Sequence, residues 1–180
     1  MRRLLSIALI AFALVGMTRS AFALDPENTI YLDTKDGRVV IELLPEVAPQ
    51  HVARIKELTR AGFYNGIVFH RVIEDFMAQT GDPTGTGTGG SDLPNVKAEF
   101  SDEAFWTGAV GMARSSSPDS ANSQFFICLD NANFLDGQYT LFGRVVEGME
   151  FVDKIKRGEP PVNPDKIVKM QVAADADQKQ

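Results

Sequence analysis

One arginine lies inside an apolar and aromatic stretch of the chain. Arg71 is followed at short spacing by Phe76, Met77 and Gln79, and residues 122–145 contain further aromatic side chains with little charge. A guanidinium stays charged throughout the physiological pH range, and a surrounding of low polarity strengthens its electric field. The pattern predicts an apolar pocket with one fixed cation at its edge, which suits electrostatic stabilisation of a bound group.

Little else in the sequence suggests covalent or metal chemistry. Cys128 is the single cysteine and lies between apolar residues, so we expect a buried side chain and no intramolecular disulfide. One cysteine and two histidines are too few for a His/Cys metal site, and we expect no metal and no cofactor. The glycines of residues 85–90 are not followed by the Gly-Lys-Ser/Thr of a phosphate-binding loop, and they predict a flexible loop instead.

The two histidines are interpreted as structural or surface residues. His70 is adjacent to Arg71, and neighbouring residues of a strand point to opposite faces, so we expect a buried, hydrogen-bonded His70. His51 falls on the surface of a predicted helix.

Residues 1–23 have the pattern of an export signal. Arg2 and Arg3 precede the apolar residues 4–15, and a small-x-small cleavage sequence ends at Ala23. We expect a Sec-type signal peptide, a periplasmic location and no membrane attachment after cleavage. The alternative is a retained membrane anchor, which the short apolar run disfavours.

The remaining residues form one acidic domain. Removal of residues 1–23, which contain three arginines and no acidic residue, changes the formal net charge from −6 to −9. Such a surface repels phosphate backbones, which argues against nucleic-acid binding. We assign residues 24–172 to one domain of adequate core size and expect residues 173–180 to form a frayed polar tail.

The pattern of apolar residues predicts a mainly β domain with two helices. Residues 30–34 and 39–43 alternate around an Asp-Gly turn, which is typical of a hairpin. Pro49 and Gly62 mark the ends of one helix, and a second helix is expected around residues 149–155. Six further strands are predicted, at residues 67–72, 76–79, 109–113, 125–129, 141–146 and 167–172. Eight short strands with few edges suggest a closed antiparallel barrel.

Five motifs follow one another between Phe69 and Gly137. They are FHRV at 69–72, FMxQxGD at 76–82, GTGG at 87–90, SQFFI at 123–127 and FLDG at 134–137. With these motifs the chain resembles the cyclophilin-type peptidyl-prolyl cis-trans isomerases. The resemblance implies a closed eight-stranded antiparallel β-barrel capped by two α-helices, and isomerisation of X–Pro bonds in folding proteins without a cofactor.

The resemblance also implies roles for individual residues. Arg71 would be the catalytic residue, and Gln79 would orient it. The other residues would bind the peptide: Phe76, Met77, Phe126 and Leu135 around the proline ring, Gln124 and the backbone at Ala113 and Arg114 along the extended chain, and Phe134 and Tyr139 at the rim. The alternatives are ordinary core packing for the apolar residues and a surface ion pair for Arg71.

Three positions depart from the better-known eukaryotic pattern of this family. Phe134 stands where many members have a tryptophan whose indole N–H contacts cyclosporin, so we expect weak cyclosporin binding. Tyr139 stands where a histidine is common, and Arg114 replaces an asparagine. Both changes alter the expected peptide contacts, in a direction that the sequence leaves open.

Two functions compete at this point. The first is an isomerase that acts on X–Pro bonds of exported polypeptides. The second is a proline-peptide-binding holdase or complex subunit whose turnover is incidental. The presence of both Arg71 and Gln79 favours the enzyme, because holding a proline ring requires apolar contact but no cation. We expect a monomer.

Overall fold

Eight β-strands and two α-helices make up the described part of the chain. The computed structural model describes residues 24–176, so the predicted signal peptide and the last four residues lie outside it. The strands are β1 Thr29–Asp33, β2 Arg38–Leu43, β3 Arg71–Ile73, β4 Met77–Thr80, β5 Ala109–Met112, β6 Phe125–Cys128, β7 Leu141–Glu147 and β8 Lys169–Val172, and the helices are α1 Pro49–Arg60 and α2 Met149–Val152. All eight predicted strands are present, although β3 begins at Arg71 rather than at residue 67.

The strands form one antiparallel sheet that remains open. Its order is β3-β4-β6-β5-β7-β2-β1-β8, so β3 and β8 are edges, and the sheet curls through 202° as a half-barrel. It is therefore not the closed barrel that the sequence predicts. Irregular segments bridge the gap: the Phe69 N–H donates to the Asp165 carbonyl at 2.9 Å. Residues 158–168 contain three prolines, which lack an N–H donor, so this segment cannot continue a regular ladder.

Both faces at the centre of the sheet are buried. Along β6, Phe125 and Ile127 belong to the main core, whereas Phe126 and Cys128 belong to a second cluster on the opposite face. Successive side chains of a strand point to opposite faces, which explains this division. The main core lies between the sheet and α1, and the second cluster forms the floor of the site described below.

Helix α1 begins at Pro49 as predicted, but a distant carboxylate caps its first turn. Ala48 offers no side-chain cap, and Glu99 instead accepts hydrogen bonds from the N–H groups of Gln50 and His51 at 3.1 and 3.0 Å. The His51 ring donates to the same carboxylate at 2.7 Å and is fully buried, so its prediction as a surface residue is wrong. The unpaired N–H groups at a helix start attract a carboxylate, and this carboxylate also holds the histidine ring.

The second helix is shorter than predicted. α2 is a single turn. No helix of the described segment is long and apolar enough to cross a membrane. The Arg157 side chain donates to the carbonyls of Asp153 and Ile155 at 2.9 and 2.7 Å. These carbonyls are therefore satisfied without further helical turns.

The C-terminal segment is ordered beyond the predicted boundary. Residues Ala173–Asp175 form a 3₁₀ turn, Ala173 is buried, and Asp175 accepts a hydrogen bond from Arg60 of α1 at 3.0 Å. The prediction of a frayed tail from residue 173 is therefore wrong for residues 173–175.

Candidate active site

Three adjoining depressions lie on the face of the sheet opposite the main core. The first, here called the ring pocket, has a volume of about 320 Å³. It is lined by ten of the eleven residues that the sequence analysis assigned to the site: Arg71, Phe76, Met77, Gln79, Ala113, Arg114, Phe126, Phe134, Leu135 and Tyr139. The eleventh, Gln124, lines the neighbouring depression, here called the loop pocket, of about 470 Å³. The tertiary structure thus brings the predicted residues together.

The floor of the ring pocket is part of the second hydrophobic cluster. Met77, Phe126 and Leu135 are almost completely buried there, so core packing and lining of the pocket are not exclusive for these side chains. The Phe126 ring stacks on Phe105 beneath it, with ring centroids 5.8 Å apart. Gly111 lies opposite Phe126 in the ladder, and the absence of a side chain at this position leaves room for both rings. The floor is therefore closely packed and apolar.

Arg71 borders the ring pocket and is paired with an acid that the sequence analysis did not identify. Its Nε donates to Oε2 of Glu159 at 2.6 Å, and both side chains are about half exposed. Arg71 therefore lines the predicted pocket and also forms the surface ion pair that was its alternative interpretation. Glu159 lines a third depression of about 440 Å³, the Glu159 pocket, together with Arg71, His70 and Pro160.

Gln79 does not have the predicted contact with Arg71. The two residues are opposite each other in the β3–β4 ladder, but the Gln79 side-chain amide donates to Oε1 of Gln124 at 2.8 Å. The Gln124 amide donates in turn to the carbonyls of Gly87 and Gly89 at 3.0 and 2.8 Å. The two glutamines therefore connect the sheet to the glycine-rich loop, and Glu159 is the residue that contacts the Arg71 guanidinium.

The wall beside the loop pocket is formed by Ala113 and Arg114. The Ala113 N–H already donates to the Gln124 carbonyl at 3.0 Å, so this donor is engaged within the protein. The Arg114 guanidinium lies over the Tyr139 ring, 4.4 Å from its centroid. Two of the departures noted in the sequence, Arg114 and Tyr139, are thus in direct contact.

Two aromatic side chains form the outer rim of the ring pocket. Phe134 is 64% exposed and packs on Phe76, with ring centroids 5.3 Å apart. Tyr139 meets the Phe126 ring edge to face at 6.0 Å. The rim therefore offers apolar surface that a bound peptide can cover.

The glycine-rich loop between β4 and β5, which the sequence predicts to be flexible, is held by one carboxylate. Asp82 accepts hydrogen bonds from the N–H groups of Thr86, Gly87 and Gly89 at 3.1, 2.6 and 3.1 Å. Burial of Asp82 opposes ionisation, but the hydrogen bonds from Thr84 and these backbone groups outweigh it and lower the pKa to about 2. The loop is thus fixed beside the site by an ionised Asp82.

His70 is buried as predicted, but it lacks the predicted hydrogen bond. Neither ring nitrogen has a hydrogen-bond partner among residues 24–176, and the ring lies against Gly87 of the loop. Burial lowers the pKa of His70 below the ordinary value for histidine. His70 is therefore neutral at pH 7 and supports the loop by packing.

The site residues are suited to non-covalent chemistry. Cys128 is completely buried in the floor cluster, and burial raises the pKa of its thiol to about 12. Within the described ranges, no group of three His, Cys, Asp or Glu side chains is arranged to hold a metal ion. What the geometry offers is an apolar pocket, a guanidinium at its edge and a polar groove beside it.

Glu159 and most of the loop pocket are not predictable from local patterns in the sequence. Glu159 is 88 positions from Arg71 along the chain, and it lies in a segment without strand or helix periodicity. Its only local signal is its position before Pro160 and Pro161, which marks a turn but no partner.

Comparisons with known proteins agree on one family. The model of the cyclophilin type peptidyl-prolyl cis-trans isomerases matches residues 29–172. A probable peptidyl-prolyl cis-trans isomerase of Brucella suis is 54% identical over 177 residues, which covers 89% of this chain and 90% of the relative.

Solved structures lead to the same conclusion. The crystal structure of a cyclophilin from Hirschia baltica has a TM-score of 0.79 at 33% identity, covering 84% of this chain and 76% of the other. A cyclophilin type isomerase from Cryptosporidium parvum, crystallised in the presence of the dipeptide Ala-Pro, has a TM-score of 0.74 at 27% identity, covering 80% of this chain and 98% of the other.

The chain belongs to the cyclophilin-type peptidyl-prolyl cis-trans isomerases. Its activity is the cis–trans isomerisation of X–Pro peptide bonds. The ring pocket, with Arg71 at its edge, is the candidate site for that reaction.

Proposed function

We propose that Arg71 accelerates X–Pro rotation by donating a hydrogen bond to the prolyl nitrogen as the bond twists. Amide resonance gives this rotation a barrier of about 18–20 kcal/mol. Twisting breaks the resonance and leaves a lone pair on nitrogen, which a guanidinium binds more strongly in the transition state than in the ground state. Lowering the barrier by about 7 kcal/mol corresponds to about a 10⁵-fold acceleration.

The position of Arg71 beside the ring pocket is the observation that carries this proposal. Met77, Phe126 and Leu135 supply a dry apolar floor for the proline ring, and Arg71 borders the same pocket. Its Nε is engaged by Glu159, and within the described residues its terminal amino groups make no side-chain hydrogen bond. These groups are the ones we assign to the substrate.

The proposed substrates are X–Pro segments of exported polypeptides. The Ala-Pro dipeptide used with the Cryptosporidium parvum isomerase supports a short proline peptide as the minimal ligand. The basic, apolar and small-x-small pattern of residues 1–23 supports Sec-dependent export to the periplasm, where the enzyme would act as a monomer. Weak cyclosporin binding is proposed because the exposed Phe134 ring has no N–H to donate.

Replacement of Arg71 tests the mechanism directly. We expect the chain without residues 1–23 to isomerise an Ala-Pro peptide rapidly, measured by exchange NMR, and we expect Arg71→Ala to lower kcat/KM by at least about 100-fold. Arg71→Lys keeps the charge but not the planar fork, and an intermediate loss of about 10-fold or more is expected.

Arg157→Ala is the matched control, because Arg157 is also paired with a surface glutamate, Glu74, but lines none of the three pockets. Its kcat/KM should equal that of the parent. Isomerisation by Arg71→Ala at the parental rate, with an unchanged circular dichroism spectrum, would exclude the proposed role. Background turnover by the parent, with proline peptides still bound, would instead indicate a holdase.

A further inference from the structure

Arg114 lies where the three depressions of the site meet. It lines the ring pocket, the loop pocket and the Glu159 pocket, and among the residues lining them only Gln79 does the same. A peptide whose proline occupies the ring pocket must therefore pass close to this guanidinium. Because an extended chain rises about 3.3 Å per residue, side chains within two positions of the proline lie near it.

The Arg114 side chain is held in one orientation. Its guanidinium lies over the Tyr139 ring at 4.4 Å, its Nη2 donates to the Gln138 carbonyl at 2.9 Å, and its Nη1 donates to the Ser115 carbonyl at 3.0 Å. Stacking on an aromatic face and bonding to carbonyls restrict a long side chain without neutralising its charge. The cation is thus positioned before a peptide binds, so little side-chain entropy is lost on binding.

No carboxylate of the described residues neutralises Arg114. Arg71 has Glu159 as its partner, whereas Arg114 takes part in no ion pair among residues 24–176. Its two amino groups each retain an N–H beyond those given to carbonyls, because every guanidinium amino group has two hydrogens. Arg114 can therefore receive a carboxylate from a ligand.

The loop pocket is otherwise uncharged. Arg114 is the one charged residue among those that line it, and the remainder are glycines, an alanine and neutral polar residues such as Ser91, Ser120 and Asn122. An acidic side chain placed there would meet the Arg114 cation without repulsion from a lining carboxylate. A basic side chain would meet only repulsion from Arg114.

From this geometry we infer that the Arg114–Tyr139 pair makes the enzyme selective for X–Pro segments with an acidic residue within two positions of the proline. The inference rests on the proposed binding of proline in the ring pocket. It predicts that the departures at Arg114 and Tyr139 shift the peptide preference towards acidic residues. The sequence alone leaves the direction of this shift open.

The test compares matched peptides that carry Glu, Gln or Lys at each of the two positions before and the two positions after proline. Exchange NMR measures kcat/KM without a coupled protease, whose own preference would interfere. At low salt the parent should favour Glu over Lys by about fivefold at one or more positions, which corresponds to about 1 kcal/mol. Salt at 0.5 M should reduce this ratio, because the groove is open to solvent.

Variants at Arg114 test whether its charge causes the preference for Glu over Lys. Arg114→Gln should bring the Glu/Lys ratio close to one, and Arg114→Glu should invert it. Arg157→Gln, which also loses an arginine bonded to backbone carbonyls but lines none of the pockets, should keep the parental ratio. A parental ratio near one, or a ratio unchanged in Arg114→Gln, would overturn the inference while leaving the isomerase intact.

Failure of the proposed function gives a different result. A parent that accelerates no peptide would contradict the isomerase mechanism, and the Glu/Lys ratio would then be read from Kd values in an NMR shift titration. A Kd ratio that depends on Arg114 would still support the selectivity, and a ratio near one would exclude it. Peptide selectivity and isomerisation are thus separable.

Discussion

Two arginines border the candidate site, and their surroundings differ. Arg71 has a carboxylate partner in Glu159, whereas Arg114 rests on an aromatic ring and backbone carbonyls. A carboxylate on Nε orients the guanidinium plane of Arg71 and partly offsets its charge, whereas stacking leaves the charge of Arg114 intact. At the scale of single residues, we therefore propose one cation for the reacting bond and the other for the flanking peptide.

Removal of the Glu159 charge should affect catalysis more than stability. An exposed ion pair contributes at most about 1 kcal/mol to folding, so Glu159→Ala should lower Tm by no more than about 2–4 °C. We expect kcat/KM for a neutral Ala-Pro peptide to fall about two- to fivefold, because Arg71 loses the partner that orients it. Glu159→Gln should recover part of the loss, since an amide oxygen can accept from Nε.

Glu74→Ala is the control for this experiment, because Glu74 forms an equivalent exposed pair with Arg157 away from the pockets. A rise in kcat/KM for Glu159→Ala would mean that Glu159 competes with the substrate for Arg71.

At the scale of secondary-structure elements, the site depends on the pairing of β5 with its neighbour β6 in the sheet. Gly111 of β5 faces Phe126 of β6, and a Cβ at Gly111 would lie 2.5 Å from the Phe126 ring and 2.6 Å from the Phe105 ring. Both distances are shorter than a carbon–carbon contact allows. The floor of the ring pocket is therefore set by a strand that contributes no side chain at this point.

Gly111→Ala should therefore disturb both stability and activity. Overpacking of a buried site costs about 1–3 kcal/mol, which exceeds the small gain from restricting the unfolded chain. We expect a lower urea midpoint and at least about a threefold rise in KM, because the Phe126 ring must move. Addition of Phe105→Leu should relieve the clash and restore part of both. A Gly111→Ala variant with parental stability and KM would show that the floor is loosely packed.

At the scale of the whole molecule, two buried neutral histidines link folding to pH. Burial lowers the pKa of both His51 and His70 below the ordinary value, even though Glu99 beside His51 opposes the shift. Below about pH 6.5 the unfolded chain therefore binds more protons than the folded one, and stability decreases as the pH falls. Above that range both histidines are neutral in the folded and in the unfolded chain. Their contribution to the free energy of unfolding is then fully present.

We expect the free energy of unfolding, measured by urea titration, to be about 1–3 kcal/mol lower at pH 5.5 than at pH 7.5. The carboxylates of Asp82 and Glu99 do not interfere, because their lowered pKa values place their titration below this interval. The double variant His51→Asn, His70→Asn should reduce the dependence on pH. Equal or greater stability at pH 5.5 would contradict the assignment of buried neutral rings.

The open sheet is the main property that emerges only at this scale. Each strand is predictable from apolar alternation, but closure depends on whether the two edges can pair. Three prolines within residues 158–168, before β8, lack an N–H donor and keep this segment from forming a regular ladder across the gap.

By itself the sequence determined the eight strands, helix α1 and the set of residues around the ring pocket. Strand and helix periodicities are local, and the five motifs contain seven of the ten ring-pocket residues, all but Ala113, Arg114 and Tyr139. Only the tertiary structure decided that Arg71 pairs with Glu159, that Gln79 contacts Gln124 and that His51 is buried on Glu99. These contacts join residues 45 to 88 positions apart, and no local pattern encodes which distant polar groups meet when the sheet curls.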